Sequence, residues 1–139
     1  AHALFGLDPE VNGDVFLRIP VYVAETSQRA FSEAEESTMR SYRRLAENFA
    51  RSATAAGTTA SEERAERAQR LSATNYEDLL QDRLAYGAPG VVTERLEQLR
   101  DTLGLSGIII EANVGGRIPQ ERVLNSIRLF AQEVVPGLR

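Results

Sequence analysis

The sequence has no cysteine, no lysine and a single histidine, and each shortage removes a class of chemistry. Without cysteine there is no disulfide framework, thiolate zinc site or thiol nucleophile. With His2 alone, a multi-histidine centre is excluded, and no metal site is expected. All sixteen basic residues are arginine, which removes Schiff-base chemistry and the phosphate-loop lysine. Long apolar runs are absent too. The longest, Leu105 with Gly107–Ile110, covers a handful of residues, far short of the roughly 20 that a bilayer span needs, so no membrane partner is expected. Residues 1–6 carry neither a basic n-region nor an apolar h-region, and the expected setting is cytoplasmic.

What is present fits one globular domain: 139 residues, 42% hydrophobic and 26% charged. The net charge is −4 and the arginines are interspersed with acids, so no nucleic-acid partner is expected.

Along the chain, strand and helix signals alternate. VFLRIPVYVAE, from Val15 to Glu25, is β-branched and aromatic and predicts a strand near Ile19–Ala24. Thr26 or Ser27 caps the next helix, which reaches about residue 52 with Phe31, Thr38, Tyr42, Leu45 and Phe49 on one face and Ala34 and Met39 beside them. SATAAGTTA, residues 52–60, reads as a linker with Gly57 as its stop signal. Ser61 then caps a charged helix with Glu63–Arg67 and Glu66–Arg70 pairs and almost no apolar face. A further helical piece, Tyr76–Gln81, leads to a short apolar stretch at Leu84–Tyr86.

Pro89 opens another helix with Val92, Leu96, Leu99 and Leu103 as its stripe and Gly104 as its stop. Leu105–Ala112 predicts a strand buried on both faces, as in parallel sheets. Pro119 restarts a helix that buries Val123, Ile127, Phe130 and Val134 and ends at Pro136-Gly137. This rhythm predicts the α/β class with a parallel sheet. Three such strands cannot close on themselves, which predicts unpaired sheet edges and an uncovered apolar face. Either the chain is the end of a longer protein, or it completes its core with another copy, as a homo-oligomer, or with another subunit.

The tail from residue 85 to 139 resembles the C-terminal end of the luciferase-like monooxygenases, flavin-dependent (β/α)8 barrels. The resemblance rests on Gly87-Ala88-Pro89, Leu103-Gly104 with Gly107, Gly115-Gly116, Ser126, Leu129-Phe130-Ala131 and Val134-Val135-Pro136, in that order. Val21-Tyr22-Val23-Ala24-Glu25-Thr26 is similar to the family's sixth strand and the following helix start. The resemblance implies a partial TIM barrel, about the last three βα units, with residues 50–82 as a variable helical insertion and the whole of 1–139 as the C-terminal portion. It implies an oxidoreductase, most closely a monooxygenase using reduced FMN and oxygen on a small-molecule substrate, with a deazaflavin as the other coenzyme in the family. Most flavin contacts would come from parts of the barrel not in this chain, so the chain alone is expected to be inactive, and no catalytic residue is assigned. The alternative is a non-catalytic half-barrel that completes its sheet with a partner chain.

Barrel sites lie at the C-terminal ends of strands, which directs attention to Glu25, Thr26, Tyr86, Gly87 and Glu111–Arg117. Gly115, Gly116 and Arg117 precede a helix N-terminus and suit a phosphate, sulfonate or flavin tail, or else form a plain turn with a solvated arginine. Glu111 and Asn113 point the same way, toward substrate or flavin if inward and toward an arginine partner if outward. Tyr86 and Tyr22 suit stacking on a flavin or core packing. Substrate binding is thus expected at Tyr86, Glu111 and Asn113, and cofactor binding at Gly115, Gly116 and Arg117.

Overall fold

Three parallel strands form one sheet in the computed structural model, which describes residues 13–55 and 58–138. His2 and Gly57 lie outside the described residues. The chain runs β1 (Phe16–Val23), α1 (Ser27–Ala55), α2 (Thr58–Ala73), α3 (Tyr76–Asp82), β2 (Ala85–Gly87), α4 (Pro89–Leu103), β3 (Gly107–Glu111) and α5 (Gln120–Leu129). A π turn, Phe130–Val134, joins α5 to α6 (Val135–Leu138). The protein is therefore α/β, as its alternating signals predict.

The strand order is β2-β1-β3. A barrel would place β2 between its sequence neighbours; here β1 is central instead, and no closed barrel forms among the described residues. The strand lengths account for this. β2 has three residues and pairs with Val21–Val23, whereas β3 pairs with Phe16–Pro20 along the other edge of the longer β1.

Side-chain alternation along β1 divides the core into two layers. Ile19, Val21 and Val23 point to one face, where Val92 and Leu96 of α4, Leu129 of α5 and Val134 of the π turn cover them. Tyr22, with Ala24 just beyond the strand, points to the other, under Ala30 and Ala34 of α1 and Leu79 of α3. Helices thus lie on both faces of the sheet, whereas a barrel carries all of them outside.

Several expectations are corrected. On α1 the expected Thr38 and Ala34 are buried and Phe31, Met39 and Tyr42 partly so, but the other fully buried contacts are small residues, among them Ala30, Ser37 and Ala46, and Leu45 is exposed. Small side chains let the helix approach the sheet closely, which is why apolar size alone misplaced its stripe. The 52–60 stretch is largely helical, since α1 extends to Ala55 and α2 starts at Thr58, placing Ser61 inside the helix. Neither the Glu63–Arg67 nor the Glu66–Arg70 pair forms among the described residues. The Arg67 guanidinium stacks over the Phe49 ring instead, at 5.2 Å, a cation–π contact that competes well with an exposed ion pair.

β3 is an edge strand, not one buried on both faces: Ile109 is 56% exposed. Ile127 is exposed as well, and Ser126 and Leu129 take the core positions of α5. Pro136-Gly137 does not end the last helix, which runs on to Leu138. Proline lacks an N–H and its ring crowds the preceding turn; the wider π turn lies directly before it, closed by the Val135 N–H donating to the Phe130 carbonyl.

Other turns are as the sequence predicts. The Thr26 hydroxyl accepts the Arg29 N–H at 3.1 Å as the cap of α1. Pro89 is the first residue of α4, and Gly104 closes that helix in the left-handed region at φ 64°.

Candidate functional site

The carboxyl ends of β1 and β2, and the loop after β3, meet the N-terminal half of α1. Tyr22 and Tyr86, paired across β1 and β2, stand edge to face with ring centroids 6.1 Å apart. Both rings are buried. The Tyr22 hydroxyl donates to Glu33 Oε1 at 2.7 Å, and the Tyr86 hydroxyl lies 2.8 Å from Thr38 Oγ1. Burial raises both phenols, helped at Tyr22 by the Glu33 carboxylate; Tyr86 is pushed up to about 12. Neither face is open to a flavin ring.

The loop from Ala112 to Pro119 follows β3 and closes on α1. Gly115 (φ 86°) and Gly116 (φ 70°) occupy the positive-φ region where glycine carries no steric penalty. At Gly115 there is a second reason for glycine, because a Cβ there would stand 1.8 Å from the Ser37 carbonyl oxygen. Ser37 holds the loop from both sides: its hydroxyl donates to the Val114 carbonyl at 2.6 Å and accepts the Arg117 N–H at 2.9 Å. Asn113 ties the far end, its Oδ1 accepting the Ile118 N–H and its Nδ2 donating to the Ile118 carbonyl. The Gly116 N–H donates to the Asn113 carbonyl.

These bonds decide what the loop can bind. The amides of Gly116, Arg117 and Ile118 are already spent, so the glycine pair is a tight turn and not an amide cradle for an anion. Asn113 acts within the loop. Glu111 pairs with Arg18 of β1, across the strands. Of the expected site residues, Tyr86 and Asn113 are thus engaged inside the fold and Glu111 in a surface pair. The Arg117 guanidinium alone remains available.

Through its bond to the Arg117 backbone, Ser37 holds that residue beside a cleft of about 600 Å³ between α1 and the start of α5, which Arg117 lines. Arg40 and Arg43 of α1 and Arg122 of α5 line the same cleft. Sequence reading assigned no function to these three. The available signal was the spacing Glu33, Glu36, Arg40, Arg43, which puts all four on one helical face; without the loop's position, that face is indistinguishable from a solvated one. At the strand mouth, Glu25 is held below its ordinary range by a hydrogen bond to its own backbone and by Asn125, whose Nδ2 donates to it at 3.2 Å.

No group of three or more His, Asp or Glu side chains able to hold a metal occurs among the described residues. Among the described residues no helix is long and apolar enough to cross a membrane. No protein-family model and no curated protein matches the chain.

Proposed function

We propose that this chain is the C-terminal βα portion of a flavin-dependent oxidoreductase similar to the luciferase-like monooxygenases. The observation that carries the reading is an asymmetry of the sheet. One face is sealed under α4 and α5, whereas on the other α1 and α3 cover only the Tyr22–Tyr86 end and leave Phe16 and Ile109 59% and 56% exposed beside Arg18 and Glu111. That uncovered end is apolar surface of the kind that further strands of a barrel would bury. Glycine and proline in the ordered tail support it: Gly87 ends β2, Pro89 starts α4, and Gly104, Gly115 and Gly116 occupy turns.

The reading makes a structural demand. Within a complete barrel, β3 would leave the edge of β1 for that of β2, and α1 would lie on the same side as α4. The residues present do not by themselves fit a flavin, since both tyrosine rings are buried and the glycine-loop amides are engaged. FMN or a deazaflavin would therefore depend on the missing strands, and no step of the chemistry is assigned to this chain.

The decisive experiment is to read the gene upstream of Ala1 and express its whole product. Further βα units, together with stoichiometric quenching of flavin fluorescence, are expected. A reading frame without such units sinks the proposal.

A second reading, an assembly module with no catalysis, is favoured by the strand edges. The outer edges of β2 and β3 have no strand neighbour among the described residues, and open edges pair readily with another chain. Light scattering over a range of concentrations would then show a stable dimer or higher oligomer. A monomer throughout would count against it.

A further inference from the structure

We propose that the cleft between α1 and α5 is a binding site for a phosphate monoester, held by Arg40, Arg43, Arg117 and Arg122. The inference stands on this cleft alone and does not depend on the flavin reading. The whole chain carries a net charge of −4, yet four arginines and only two glutamates, Glu33 and Glu36, line this one cleft of about 600 Å³. Glu33 is already committed, accepting the Tyr22 hydroxyl at 2.7 Å and an Arg29 guanidinium N–H at 3.3 Å. None of the four lining arginines takes part in an ion pair among the described residues, where Arg18, Arg29 and Arg100 do.

Four guanidinium groups around one cleft repel one another, and an anion between them reverses the sign of that interaction. Arg122 makes the point sharper. It lies in the first turn of α5, at the positive end of the helix dipole, where a cation is disfavoured and an anion favoured. The planar fork of arginine matches phosphate oxygens with two parallel N–H donors, and a dianion answers the excess of two positive charges that the lining leaves. Placement is fixed from both sides. Arg40 and Arg43 are three residues apart on α1, and the Ser37 hydroxyl anchors the Arg117 backbone 2.9 Å away on that same helix. The room available is several times that of a phosphate ion, so the ester's organic group can enter with it.

The probes are inorganic phosphate and phenyl phosphate, titrated into the intact chain at low ionic strength and followed by 31P NMR and calorimetry. Saturable one-to-one phosphate binding is expected, with phenyl phosphate competing for the same site. Arg43→Gln and Arg117→Gln should each weaken it about tenfold. Arg44→Gln, next in sequence but outside the cleft, should leave it unchanged. Circular dichroism of each variant must match the parent, as it should for exposed arginines. The proposal is overturned if phosphate fails to saturate at millimolar concentration. Binding that survives the double variant R43Q/R117Q, or that falls equally in R44Q, overturns it as well. Equal affinity for acetate would remove the phosphate specificity and sink it too.

Discussion

The Ser126 hydroxyl of α5 accepts the Val23 N–H of β1 at 2.8 Å, in the buried interior. β3 pairs with β1 only as far as Pro20, so the backbone beyond it needs another acceptor on that edge. A helix side chain completes what the strand leaves open. Ser126→Ala therefore strands a buried donor and should cost about 1–3 kcal/mol, read as a lower urea midpoint with an unchanged slope. A loss within the error of the midpoint would mean that water replaces the hydroxyl.

Gly115 and Gly116 separate two effects that usually come together. Both have positive φ, but a Cβ at Gly115 meets the Ser37 carbonyl whereas one at Gly116 meets nothing within 4 Å. Gly116→Ala should then cost only the left-handed backbone penalty, about 1–2 kcal/mol. Gly115→Ala adds displacement of the loop from α1, for a further ~1–3 kcal/mol. Thermal denaturation of the two variants checks the order, and limited proteolysis should find the loop newly cleavable in Gly115→Ala alone.

The elements themselves were legible in the sequence, because turn chemistry and hydrophobic spacing act locally. Pro89, Gly104 and Thr26 mark helix ends wherever the helices go. The strand order was not legible. It depends on a competition between a three-residue β2 and an eight-residue β1 for the same partner, a tertiary matter. Leu45 and Ile127 were misplaced for a related reason: with alanine and serine at the contacts of α1 and Ser126 at the contact of α5, side-chain size is a poor guide to burial. The candidate site was half visible. Arg117 follows from the glycine pair, but Arg40 and Arg43 join it only because Ser37 fixes the loop to α1, across 80 residues of chain.

The composition makes the alkaline transition unusually easy to interpret. With no lysine and no cysteine, the only side chains titrating between about pH 9 and 12 are the four tyrosines, Tyr22, Tyr42, Tyr76 and Tyr86. Burial raises all four. A phenol whose folded value lies above its unfolded value near 10 stabilises the fold fully below pH 10, and this contribution falls as pH rises through the folded value. For Tyr86, pushed up to about 12, the loss should amount to ~2–3 kcal/mol between pH 10 and 12. Tyrosinate absorbance should appear together with unfolding in a single steep step. Four tyrosines titrating near pH 10 in a folded protein would contradict the burial described here.

Two isoleucines on opposite faces of the sheet give the last test. Ile19 is buried under α4 and α5, while Ile109, opposite Arg18 in the ladder, is more than half exposed. Ile19→Ala should cost 2–5 kcal/mol, in the range of core truncations. Ile109→Thr keeps a β-branched side chain for the strand and removes only apolar surface, so the isolated chain should change by about 0.5 kcal/mol or less. If that face is covered on assembly, whether by further strands or by another copy, the same substitution must weaken the assembled state selectively. Denaturation over a hundredfold range of protein concentration separates the cases: a stability deficit that grows with concentration means the face is an interface, whereas a large deficit independent of concentration means that Ile109 is already packed within the single chain.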